Sequence, residues 1–283
     1  MALTDGSVLP TPLPQIPFGP ASISRLILGA NPINGGSHLS TFVNRQMKAY
    51  FTPDNVTALF RRCQEVGINT WQSGGGDYQR WRSFLDAGGE MHYLSLAHHD
   101  PERPELIGEI ARAGALGIAH HGELTDMLFK AGRLDEIRDF LQRVRDTGVQ
   151  VGVSTHMPAV IDAIEDKGWD VDFYMACLYE RHRTPEELQK LLGHVPIPER
   201  EVYLTSDPPR MCEAIRATSK TCLAFKILAA GRLCDTPEQV EEAFRFTFAH
   251  LKPTDAVIVG MYPEYSDQPR ENAEWTRKYG AVV

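Results

Sequence analysis

Residues 91–126 read MHYLSLAHHDPERPELIGEIARAGALGIAHHGELTD, and the fold is decided here. Two histidine doublets, His98-His99 and His120-His121, each follow a short apolar run, Tyr93-Leu94-Ser95-Leu96 and Ala115-Leu116-Gly117-Ile118. Between them, residues 104–114 are helix-like and close on Gly114. The order is strand, helix, strand, with imidazoles at both strand exits. A third strand, residues 149–153, runs into Ser154-Thr155-His156. In a parallel barrel the carboxyl ends of the strands line one mouth, where side chains from successive strands converge.

The same alternation continues in both directions. Strands are expected at 23–28, 68–72, 93–96, 115–118, 149–153, 171–175, 222–228 and 256–260. Helix starts separate them: Thr52-Pro53-Asp54, Met157-Pro158, Thr184-Pro185-Glu186-Glu187 and Thr236-Pro237-Glu238 place a cap or a first-turn proline where a helix needs one. Residues 202–205 are an accessory segment leading into a helix at 208–218. Eight strands alternating with helices predict a (β/α)8 TIM barrel. A doubly wound open sheet is disfavoured, because no GxGxxG turn follows the first strand. Residues 1–20, rich in proline and polar residues, are expected to form an N-terminal arm, with 21–283 as one barrel domain.

A net charge of -8 argues against nucleic-acid binding, which needs a basic face. No apolar run approaches the ~18 residues of a membrane span, and no signal peptide is apparent. The five cysteines form no CxxC pair and are odd in number, as expected of reduced thiols in the cytoplasm. The expected partner is a small-molecule substrate, and a homo-oligomer is compatible with the sequence.

Four short motifs resemble the aldo-keto reductase superfamily. Gly67-Ile68-Asn69-Thr70 is similar to its second strand, and Gly152-Val153-Ser154-Thr155-His156 to its fifth-strand "GVSN" exit. Residues 224–233, AFKILAAGRL, resemble its "AYSPLxxGxL", and Val257-Ile258-Val259-Gly260 with Glu271-Asn272 its "IxVG…EN" ending. The likeness runs from about residue 23 onward. It implies an aldo-keto-reductase-like barrel, with Asp, Tyr, Lys and His around a nicotinamide. Those positions fall here at Gln72, at or beside Asp77 with Tyr78 next to it, at His98 and at His120. The family's basic phosphate-binding loop corresponds to residues 261–269, MYPEYSDQP, which are acidic and repel a 2′-phosphate.

Non-redox chemistry is therefore the leading expectation. His98, His120 and His156, with Glu123, make a ligand set suited to Zn, Mn, Fe, Co or Ni. His98, His120, Glu123, Asp77 and Tyr78 are the catalytic candidates, for proton abstraction, elimination, isomerisation or hydrolysis of a small carbonyl- or hydroxyl-bearing substrate. His99, His121, Glu180, Arg181 and Lys226 are candidates for binding that substrate. The alternatives are an NAD(P)H-dependent oxidoreductase, with Phe225 and Gly260 against the cofactor, and a noncatalytic barrel scaffold.

Overall fold

The computed structural model describes residues 11–197 and 201–281. Eight parallel strands close into a barrel: β3 (Leu26–Gly29), β4 (Thr70–Gly74), β5 (His92–Ala97), β6 (Gly117–His120), β7 (Gln150–Thr155), β8 (Phe173–Cys177), β9 (Thr221–Phe225) and β10 (Ala256–Gly260), with β10 pairing back onto β3. Each pairs with its sequence neighbour in the barrel, and helices run outside. The expected (β/α)8 barrel is the observed fold.

The alternation of side chains fixes what faces the axis. Ile27, Leu94, Ala119, Phe173, Met175, Leu223, Ala256 and Ile258 form one interior cluster, while their chain neighbours pack outward against the helices. The interior layers are filled by unequal partners. Phe173 occupies the space in front of Gly152, where an added Cβ would lie 2.3 Å from the ring. Glycine is thus required at that point of β7 by sterics.

Two departures from expectation concern the N-terminal end. Of the expected arm, residues 11–20 include β1 (Gln15–Phe18), which pairs antiparallel with β2 (Ala21–Ser24). The hairpin buries Ile16, Phe18 and Ile23 in the interior cluster, with Phe18 edge-on to Phe173 at 5.0 Å. It forms the floor of the barrel. The expected first strand, 23–28, is therefore divided between β2 and β3, with Arg25 at the break. The buried Arg25 guanidinium donates to the carbonyls of Lys252, Asp255 and Gly280, tying the first barrel strand to the last.

Other differences are local. A helix not anticipated, α1 (Thr41–Tyr50), precedes α2 (Pro53–Glu65); Ser40 caps it. Residues 202–205 form no strand and lead into α9 (Asp207–Ala217) as expected. The seventh barrel strand stops at Phe225 rather than 228, because Lys226, at φ 59°, turns the backbone left-handed. Among the described residues, no helix is long and apolar enough to cross a membrane.

Candidate active site

A cavity of about 830 Å³ opens at the carboxyl end of the barrel. Its base is made by side chains that continue the inward-facing rows: Gln72 from β4, Ser154 from β7, Met175 from β8 and Phe225 from β9. The exits of β6, β7, β8 and β9 then supply His121, His156, Arg181 and Lys226.

The best-organised of these is His156. The first helix of the β6–β7 connection, α5 (Gly122–Lys130), begins directly after β6 and lies close against β7. Gly122 permits that approach, since a Cβ there would come within 2.8 Å of Ser154 Oγ. The second turn of α5 consequently delivers the buried Asp126 carboxylate to the β7 exit. Asp126 accepts the Thr155 hydroxyl at 2.5 Å, the His156 backbone N–H at 3.1 Å and His156 Nδ1–H at 2.7 Å. With Nδ1 donating to a carboxylate, Nε2 carries the free lone pair. Burial lowers the His156 pKa far below that of a free imidazole, with the charges of Arg181 and Lys226 acting the same way. Burial pushes Asp126 up to about 6, against the downward pull of Thr155 and the His156 N–H. At neutral pH the pair is an ionised carboxylate holding a neutral, oriented base.

Cations stand on the next two strand exits. Arg181 is 9% exposed and pairs with Glu201, yet its Nε–H has no partner among the described residues. Glu201 also accepts from His38 Nδ1 at 3.0 Å and from the Tyr203 hydroxyl at 3.0 Å. Burial raises the Glu201 pKa, but His38 and Arg181 outweigh it and bring the group down to about 2. Lys226 is half-buried, and none of the described residues hydrogen-bonds its Nζ. His121 completes the wall, its buried Nδ1 also without a partner among the described residues. Three of the non-glycine residues with positive φ, His38, Lys226 and Glu201, meet in this network. Such backbone strain persists where surrounding contacts enforce it, and it concentrates at functional sites.

Several expected residues lie elsewhere. His120 is turned away from the cavity: Ala119 faces the axis, so the next residue faces the helices. Its Nδ1 donates to Thr125 Oγ1 at 2.7 Å, its ring meets Phe140 edge-on, and burial pushes its pKa down to about 4. The second histidine of this doublet, His121, is the one in the cavity. His98 and His99 are both exposed, with the His98 ring 6.5 Å from that of His121. Asp77 accepts from Asn34 and Ser73, and the Tyr78 hydroxyl donates to Glu109 at 3.1 Å. Neither lines the cavity. Glu180 pairs with Arg183 and Arg210 outside it. Glu123, Phe225 and Gly260 do line it. The reductase-like quartet of Gln72, Asp77, His98 and His120 is thus dispersed, with Gln72 alone in the wall.

The expected metal set of His98, His120, His156 and Glu123 is dispersed as well. Among the described residues, the donor atoms that come within 4.8 Å of one another belong to Asp126, His156 and His182. His182 follows Arg181 and stacks edge-on with His156 at 4.8 Å. Burial and the Arg181 charge bring its pKa down to about 4. Two neutral imidazoles and a carboxylate are a donor set that a divalent ion accepts, although Arg181 and Lys226 oppose a cation there. Asp126 was not singled out from the sequence, and His182 only as part of the charged strand exit Glu180-Arg181-His182. A buried acid on the helix face that meets a strand exit was the available signal for Asp126.

No family model and no curated protein matches this chain. Solved structures do. A glycerol dehydrogenase from Gluconobacter oxydans is 13% identical over 95% of this chain and 97% of its own, with a TM-score of 0.51. A truncated 3-deoxy-D-arabino-heptulosonate 7-phosphate synthase from Thermotoga maritima is 12% identical over 94% and 91%, with a TM-score of 0.54. A mandelate oxidase is 12% identical over 96% and 76%, with a TM-score of 0.53. These likenesses show the (β/α)8 fold. They establish no membership of the aldo-keto reductases.

Proposed function

We propose that this barrel is an enzyme that moves a proton on a small anionic substrate bearing a carbonyl or hydroxyl group, as an isomerase or lyase does. The observation that carries the reading is the Asp126–His156 pair, whose base faces the cavity next to Arg181 and Lys226. A neutral imidazole with a fixed tautomer suits a general base, and correct placement contributes roughly 10²–10⁴ in rate. The Arg181 guanidinium, in the cavity lining, holds the substrate's carboxylate or phosphate. The Lys226 side chain, also in the lining, meets the carbonyl end of the substrate. Proton NMR in D2O tests this directly. Two-carbon to four-carbon keto acids, hydroxy acids and hydroxy aldehydes are incubated with enzyme and followed for loss of C–H signal. Exchange by the native chain, lost in His156→Asn, supports the reading. Exchange that persists in His156→Asn, or none across the set, overturns it.

A second reading rests on the Asp126, His156 and His182 group. A carboxylate fixing one imidazole nitrogen while the other faces outward is also the arrangement behind metal-bound histidines. His156 and His182 would hold the ion, which would polarise a substrate oxygen or acidify water. Elemental analysis of purified protein, together with thermal shifts on adding Zn²⁺ or Mn²⁺, decides it. No bound metal and no shift, or an equal shift in His182→Gln, removes this reading.

A further inference from the structure

Lys226 is placed differently from every other cation around the cavity. Arg181 is engaged by Glu201, and Arg232 donates to the His38 and Ala229 carbonyls while lying over the Tyr203 ring at 4.1 Å. The carboxylate nearest to these charges, Glu201, already receives His38, Arg181 and Tyr203. Lys226 has no such partner among the described residues, and its left-handed backbone turns the chain at the cavity wall immediately after β9. Around it stand Arg181, Arg232, Glu201, His38, His156 and the buried Cys177.

The geometry points to Lys226 as a carbonyl-capturing amine that forms a Schiff base with an aldehyde or ketone. This inference deepens the proton-transfer reading, and rests on it for the location of the substrate. In the step itself the Nζ lone pair attacks the carbonyl carbon. The C=O π pair moves to oxygen, which takes up a proton, and Nζ loses one. The resulting carbinolamine expels water after a second protonation, leaving C=N⁺H. Hydrolysis reverses each bond change, so no oxidant, reductant or further reactant is needed. An iminium at this carbon makes the adjacent C–H or C–C bond easier to cleave, with His156 placed to take the proton.

The electrostatics agree with the geometry. Burial lowers the Lys226 pKa to about 8, with Arg181 and Arg232 pulling it down and Cys177 and Glu201 pulling it up. Relative to an ordinary lysine, a larger share of the amine is then neutral at pH 7, and the neutral form is the nucleophile.

Formaldehyde with cyanoborohydride at pH 7 tests nucleophilicity with the smallest carbonyl that can enter. Peptide mapping over time is expected to show Lys226 methylated at least about tenfold faster than the exposed lysines, since its neutral fraction at pH 7 is on the order of 10² larger and its lower basicity offsets only part of that. Glyoxylate with cyanoborohydride tests the capture of an anionic aldehyde. Its adduct is expected on Lys226 and absent from that peptide in Lys226→Arg. Arg181→Met is expected to lose the glyoxylate preference and keep the formaldehyde labelling. Labelling of Lys226 no faster than that of surface lysines by formaldehyde overturns the inference. Should that happen while His156→Asn still abolishes C–H exchange, the proton-transfer reading stands and Lys226 has only an electrostatic role.

Discussion

Asp126→Asn separates positioning from stability. Asparagine keeps the shape of the side chain but turns one of its two acceptors into a donor. On the native side chain, the donors are the Thr155 hydroxyl, the His156 N–H and His156 Nδ1–H. Weakening a charge-assisted hydrogen bond in a buried site costs about 1.5–3 kcal/mol. Against that, keeping Asp126 ionised is itself unfavourable. Its pKa rises from 3.8 to about 6, which corresponds to about 3 kcal/mol of differential destabilisation of the charged form. That shift already nets the hydrogen bonds from Thr155 and the His156 N–H against burial, so chemical denaturation is expected to show the variant losing no more than about 1 kcal/mol. The imidazole responds differently. An amide NH2 facing Nδ1 makes that nitrogen an acceptor and moves the proton to Nε2, removing the base from the cavity. Long-range ¹⁵N–¹H NMR is expected to report Nδ1–H in the native chain and Nε2–H in the variant, with any C–H exchange activity down roughly 10²–10⁴-fold. An unchanged tautomer, or full activity with the proton on Nε2, refutes the reasoning.

His120, neutral and buried, makes stability depend on pH. The unfolded chain takes up its proton below about 6.5, whereas the folded chain resists until about 4. Stability therefore falls as pH drops through that window, by up to about 3 kcal/mol from this group alone; His120→Gln should flatten the difference between pH 7 and pH 4.5 denaturation curves. Gly152→Ala forces a Cβ to 2.3 Å from the Phe173 ring, and overpacking of this kind should cost about 1–3 kcal/mol or displace Phe173; a melting temperature equal to that of the native chain would contradict the packing. Phe18→Ala empties the floor below Phe173 and should cost roughly 3–5 kcal/mol, read by urea denaturation. His98→Ala should leave C–H exchange within about twofold, while His121→Ala lowers it; equal effects would place the exposed doublet in the chemistry.

The eight barrel strands were legible because short, largely apolar runs alternate with helix starts and glycine stops along the chain. The hairpin was not, since Gln15-Ile16-Pro17-Phe18 looks like loop until its partner is known, and Pro17 occupies an outward, exposed position that an edge strand tolerates. The histidine-bearing exits were also legible as a set. Which member of the second doublet enters the cavity was not, because side chains alternate and a shift of one residue exchanges inside for outside. Ala119 against the axis settles it for His121. Asp126 lies on a helix rather than a strand, so only the packing of α5 on β7 brings it to His156.

The hairpin floor bears on how this molecule can be handled. Gln15 is exposed on its outer edge, whereas the exposed Cys234 sits at the rim of the cavity. Thiol coupling of the native chain to a surface or dye would therefore congest the entrance. Moving the single reactive thiol to the opposite pole, by Gln15→Cys with Cys234→Ser, would anchor the protein upside down to its support and leave the opening facing solution.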